Sequence, residues 1–116
     1  MNVISDKFLL ATGGYIKDLT KSCELYEIDK DKWISVADLN EARANHACVV
    51  LADGGVFVFC GYGEDNKLQD SIEFMKGIGA GWEKIKVQNP ISARCGCTAA
   101  VISDDQVILF GGYDGK

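Results

Sequence analysis

The chain has 116 residues, 47% of them hydrophobic and 25% charged, with a net charge of −5, a balance that excludes a disordered polyelectrolyte. There is no basic cluster to release counterions from nucleic acid or an anionic lipid surface, and no apolar run long enough to cross a bilayer. Thirteen glycines against one proline mark a chain of tight turns, and five cysteines without an N-terminal apolar segment favour free thiols in a reducing compartment, so a cytoplasmic location is expected.

In chain order the sequence reads as short strands. Residues 3–6 are the tail of one strand and 7–12 a second, ended by Gly13 and Gly14. After a polar loop, 22–28 alternates so that Cys23 and Leu25 lie on one face and Glu24 and Tyr26 on the other. A charged turn at 29–32 leads to a strand at 33–36, and a connection through 40–44 leads to the next at 46–51. Strands at 56–59, 71–75 and 82–87 follow, then two more before Gly115. No helical pattern is long enough to compete.

The order of landmarks repeats. Tyr15 to Tyr62 is 47 residues and Tyr62 to Tyr113 is 51; Glu24 to Trp33 and Glu73 to Trp82 are both 9; Arg43 to Gly61 and Arg94 to Gly112 are both 18. Length differences therefore fall after the glycines and between tryptophan and arginine, as insertions in loops between rigid strands would. Four short strands in about 50 residues is the size of one β-propeller blade. The cycles run approximately 1–44, 45–95 and 96–116 within a single domain, 1–116.

The sequence order Arg, apolar run, Gly-Gly, Glu-x-Tyr, Trp resembles the kelch repeat. Gly13, Gly14, Glu24, Tyr26, Trp33 and Arg43 fit it; in the second cycle Gly61, Glu73, Trp82 and Arg94 fit, while Cys60 replaces the first glycine and Met75 the tyrosine; Gly111 and Gly112 restore the pair. The resemblance implies an all-β fold: a partial, open kelch-type propeller of about two four-stranded antiparallel blades plus part of a third. Tryptophan and tyrosine would supply apolar area between adjacent sheets, and the arginine would tie loop carbonyls or a neighbouring blade. Six blades of this period would need about 290 residues, so the chain is expected to be a fragment of a longer propeller or to complete a ring by self-association.

By the same resemblance, Tyr15, Tyr62 and Tyr113 lie on the loop after the second blade strand, at the face where kelch propellers bind partner peptides. Asn45 and Gly96, just after the arginines, rim that face. The plainer reading makes the tyrosines turn residues retained from duplication. His46 and Cys97 occupy equivalent positions and, with Cys95, could be drawn as a metal site, but the spacing is of no established ligand type. Gly77-x-Gly79-x-Gly81 lacks the strand-to-helix context of a phosphate loop and reads as a hairpin. The run at 63–66 could take a cation but is ordinarily a solvated loop.

No catalytic constellation is expected from one histidine, and no cofactor or metal. The expected function is a non-catalytic protein–protein interaction module of scaffold or substrate-receptor type, binding a protein partner through blade-face loops. Two alternatives stand beside it. One is a piece of a propeller enzyme, galactose oxidase-like or other, whose catalytic residues lie outside these blades; the other is a structural fragment with no separate activity.

Overall fold

Apolar residues at every second position, bounded by Asp-Gly and Gly-Gly turns, can bury a face only by pairing into sheets. The computed structural model describes residues 2–15 and 17–115 and contains three successive antiparallel sheets. The first is β1 (Asn2–Ser5), β2 (Phe8–Thr12), β3 (Cys23–Glu27) and β4 (Lys32–Val36), hydrogen-bonded in that order. The second repeats the order with β5 (Ala47–Val50), β6 (Val56–Phe59), β7 (Ile72–Met75) and β8 (Trp82–Ile85). The third is the pair β9 (Thr98–Ser103) and β10 (Gln106–Phe110). No α-helix occurs among the described residues. The architecture is that of a partial, open propeller.

Strand edges differ from the sequence reading by a residue or two. Ile28 leaves its strand for a 3-10 turn over Ile28–Lys30, closed by Asp31 at φ 50°. His46 and Leu51 fall outside β5, and β8 stops at Ile85 instead of continuing to Val87. Each shift occurs where a turn, not the alternation, sets the last ladder bond.

The sheets stack through two apolar layers. Leu10, Cys23 and Leu25 of the first sheet meet Val56, Val58, Met75 and Trp82 of the second, with Leu39 of the connecting segment sealing the layer. The opposite face of the second sheet, through Val49, Phe59 and Ile72, meets Cys97, Ala99, Val107 and Leu109. Side-chain alternation decides this: Cys23 and Leu25 are buried while Glu24 between them is exposed.

The expectation that tryptophan and tyrosine lie between adjacent sheets holds for Trp82, where Met75 takes the tyrosine position, and not for Tyr26 and Trp33. Met75 and Trp82 are cross-strand partners at 0% and 7% exposure in the first layer. Their equivalents Tyr26 and Trp33 are also partners, with ring centroids 4.9 Å apart, but they lie on the outer face of the first sheet and Trp33 is 46% exposed. No described sheet covers that face, so the same residue types carry out different work at the edge of the stack.

Candidate functional site

The connection between the first two sheets is held by an ion pair without solvent contact. Arg43 and Glu73 are both 0% exposed, with Nη2 2.8 Å from Oε2. Arg43 Nη1 donates to the carbonyls of Cys60 (2.9 Å) and Ser71 (3.1 Å), and Nη2 donates also to Ser71 Oγ. Glu73 in turn accepts from the backbone N–H groups of Asn40 and Glu41 and from the Asn40 side-chain amide. A buried charge pair is tolerable only when its remaining hydrogen-bonding capacity is used, and here it largely is. Of the two expected roles, tying loop carbonyls or a neighbouring blade, Nη1 performs the first. The carboxylate partner lies 30 residues further along the chain, a single spacing that no second copy in this sequence repeats.

This clamp fixes the loops at one end of the stack. Tyr62 exchanges both backbone hydrogen bonds with Ala44, Tyr113 does the same with Cys95, and the Gly96 N–H donates to the Asn45 carbonyl. A continuous backbone ladder therefore links Tyr62, Asn45 and Tyr113. Tyr15 bridges to Leu19 within its own loop, as Tyr62 does also to Leu68, and only the Gly14 N–H before it reaches the connecting segment, at the Arg43 carbonyl. Tyr15 and Tyr113 are 65% and 59% exposed, Tyr62 is half-buried and Asn45 exposed at φ 52°.

The glycine pair explains how these loops approach so closely. A Cβ on Gly61 would lie 2.6 Å from the Ala44 carbonyl oxygen, and one on Gly112 would lie 2.6 Å from that of Cys95. Only glycine permits the tyrosine that follows to pair with the connecting segment. Cys60, the departure from the pattern, sits at φ 62° where its equivalents Gly13 and Gly111 take 54° and 74°, so it holds the glycine conformation at a strain cost.

Beside the ladder lies a cleft of about 690 Å³, formed by 19–21, 40–42, 63–64 and 67–71. Its walls carry charges of both signs, among them Lys21, Glu41, Glu64, Lys67 and Asp70. Burial raises the Glu41 pKa, but the ion pair with Lys84, aided by Arg43, outweighs it and holds the carboxyl below its usual range. None of the four sequence-selected residues lines this cleft. It arises from the first sheet's loop meeting the second sheet's longer loop, a juxtaposition that chain order does not display.

His46 bridges sheets: its Nε2 lies 2.8 Å from Thr12 Oγ1. Burial, then the Arg43 charge, pushes its pKa down to about 4. Cys23 and Cys60 are pushed up to about 11 and Cys48 to about 12, chiefly by burial, which suppresses the thiolate. All five cysteines are free, and no group of three His, Cys, Asp or Glu among the described residues is placed to hold a metal.

No protein-family model matches the chain. It is 24% identical over 115 residues to tRNA wybutosine-synthesizing protein 4 of Homo sapiens, a match covering 93% of this chain and 16% of that protein. It is 35% identical over 54 residues to beta-scruin of Limulus polyphemus, covering 47% of this chain and 6% of the relative. Beta-scruin is a kelch-repeat protein, so the landmark resemblance has a local counterpart. The chain spans a small part of either relative. No helix among the described residues is long and apolar enough to cross a membrane.

Proposed function

We propose that the chain belongs to a kelch-type propeller acting as a non-catalytic protein-interaction module, which engages a peptide segment of a protein partner through its loop end. The observation that carries this reading is the backbone ladder joining Tyr62, Asn45 and Tyr113. It presents amphipathic rings on a rigid support, the arrangement that gives contact area at low ordering cost. The mixed-charge cleft next to it supplies polar groups of either sign for register. Local similarity to a kelch-repeat protein supports the same assignment.

The test is capture of partners from cell extract by the chain and by a variant with Tyr62→Ala, Tyr113→Ala and Asn45→Gly. Glycine is the right replacement at 45 because Gly96 occupies the equivalent position at φ 69°. Loss of specific partners is expected with the fold unchanged by circular dichroism, and undiminished capture of every partner removes the tyrosine surface from the reading.

Similarity to one part of a tRNA wybutosine-synthesizing protein favours a second reading, in which these sheets are one portion of a larger biosynthetic protein. Its chemistry would then lie on residues outside this chain.

A further inference from the structure

The mixed-charge cleft lies between the two four-stranded sheets. Its loop 19–21 joins β2 to β3, its loop 63–71 joins β6 to β7, and 40–42 leads from the first sheet to the second. Two acceptors meet in it. Glu41 places Oε1 on Lys84, while its Oε2 accepts from Gln69 Nε2 at 3.1 Å and, more weakly, from Ser71 Oγ at 3.4 Å. Gln69 Nε2 also reaches the Ala42 carbonyl, at 3.4 Å. The Gln69 side-chain carbonyl, Oε1, is buried and has no hydrogen-bond partner among the described residues. A buried acceptor without a donor is a standing cost to the fold.

The surroundings shape a seat for that amide. A Cβ at Gly63 would collide with the Gln69 amide nitrogen, so glycine there leaves room for Gln69 to lie against Glu41. The loop beyond turns through two successive left-handed residues, Asp65 and Asn66 at φ 57° and 56°, types that adopt this conformation more readily than other non-glycine residues. Glu64, Lys67 and Asp70 share this wall, and Lys21 stands on the loop opposite. With Glu41 occupied by Lys84, the remaining charges are these two lysines and two carboxylates, all four exposed. The lysines disfavour a run of cations, whereas the half-buried acceptors favour one donor-rich group.

We infer that this cleft receives a single arginine side chain from the partner segment. Its guanidinium enters between Glu41 and Gln69, replaces Gln69 Nε2 as the donor to Glu41 Oε2, and gives a second N–H to Gln69 Oε1. A planar fork of donors matches two neighbouring acceptors with less ordering than an ammonium group does, which favours arginine over lysine. Glu64 and Asp70 add negative charge on the exposed wall, and Lys21 and Lys67 repel a second basic residue. The inference rests on the reading of this loop end as an interaction surface, but on residues outside the tyrosine ladder.

N-acetyl-L-arginine amide is the probe, titrated into the isotope-labelled full chain with amide chemical shifts as readout. Saturable shifts are expected at 40–42, at 63–71 and at the Gln69 side-chain amide. The citrulline analogue, of the same shape without the charge, and the lysine analogue should each bind at least about fivefold more weakly. Glu41→Gln should weaken the arginine probe by at least about fivefold, and Gln69→Glu should strengthen it, a gain that structural damage would not produce. Shifts that do not saturate, that fall outside the cleft, or that are equal for the three analogues would overturn the inference. Weaker binding by Gln69→Glu, with the amides of β2, β3, β6 and β7 unmoved, would do the same. No arginine binding, with partner capture still lost on Tyr62→Ala, Tyr113→Ala and Asn45→Gly, removes the cleft alone. Saturable arginine binding with capture undiminished upholds the cleft and removes the tyrosine surface.

Discussion

At the scale of the residue, two arginines in equivalent positions meet different surroundings. Arg43 is sealed between sheets with a carboxylate and three oxygen acceptors, whereas Arg94 rests on a serine at the surface. Removing one member of a desolvated pair strands the other without water, at a cost of about 3–5 kcal/mol. Glu73→Gln is therefore expected to lower unfolding stability by about that amount in urea titration, while Arg94→Ala changes it by less than about 1 kcal/mol. Equal effects of the two substitutions would show that the clamp does not hold the connection. Cys60 and His46 carry the same lesson. Their identities are visible in the sequence, but the glycine-like φ of one and the inter-sheet bond of the other depend on what packs against them.

At the scale of the element, alternation made the strands legible. Every strand expected from the apolar pattern is present, and the edges moved by only a residue or two. The alternation of Cys23, Glu24 and Leu25 correctly separated the two faces of β3. What alternation lacks is any statement of which sheet a face meets. Trp33 and Trp82 are equivalent in the repeat, yet only Trp82 is enclosed, with Nε1 donating to the Ala37 carbonyl at 3.1 Å. Trp82→Ala is expected to cost about 3–5 kcal/mol as a core truncation, and Trp33→Ala about 1 kcal/mol or less. Thermal or urea unfolding of the two variants checks this, and a Trp33 cost matching that of Trp82 would mean that the outer face is covered in solution.

At the scale of the whole molecule, the stack is ordered from the second sheet outward. That sheet is buried on both faces; the first has one exposed face with Trp33 and Val3, and the third exposes Ile108 and Phe110. Protection from exchange follows the number of buried contacts that opening must break. Amides of β9 and β10 are expected to exchange well before those of β5 to β7 in the isolated chain, as measured by mass spectrometry. Uniform protection across all three sheets would contradict the stacking described.

The sequence by itself determined the strands, the period and the landmark residues, because a pleated sheet with one buried face writes a two-residue rhythm and a duplicated unit repeats its turns at fixed distances. Only the tertiary structure decided that Glu73 answers Arg43, that a mixed-charge cleft opens between two loops, and that Trp82 is enclosed where Trp33 is not. Those facts depend on side chains far apart in the chain meeting across a sheet stack, where burial, not residue type, fixes what a charge or a ring can do.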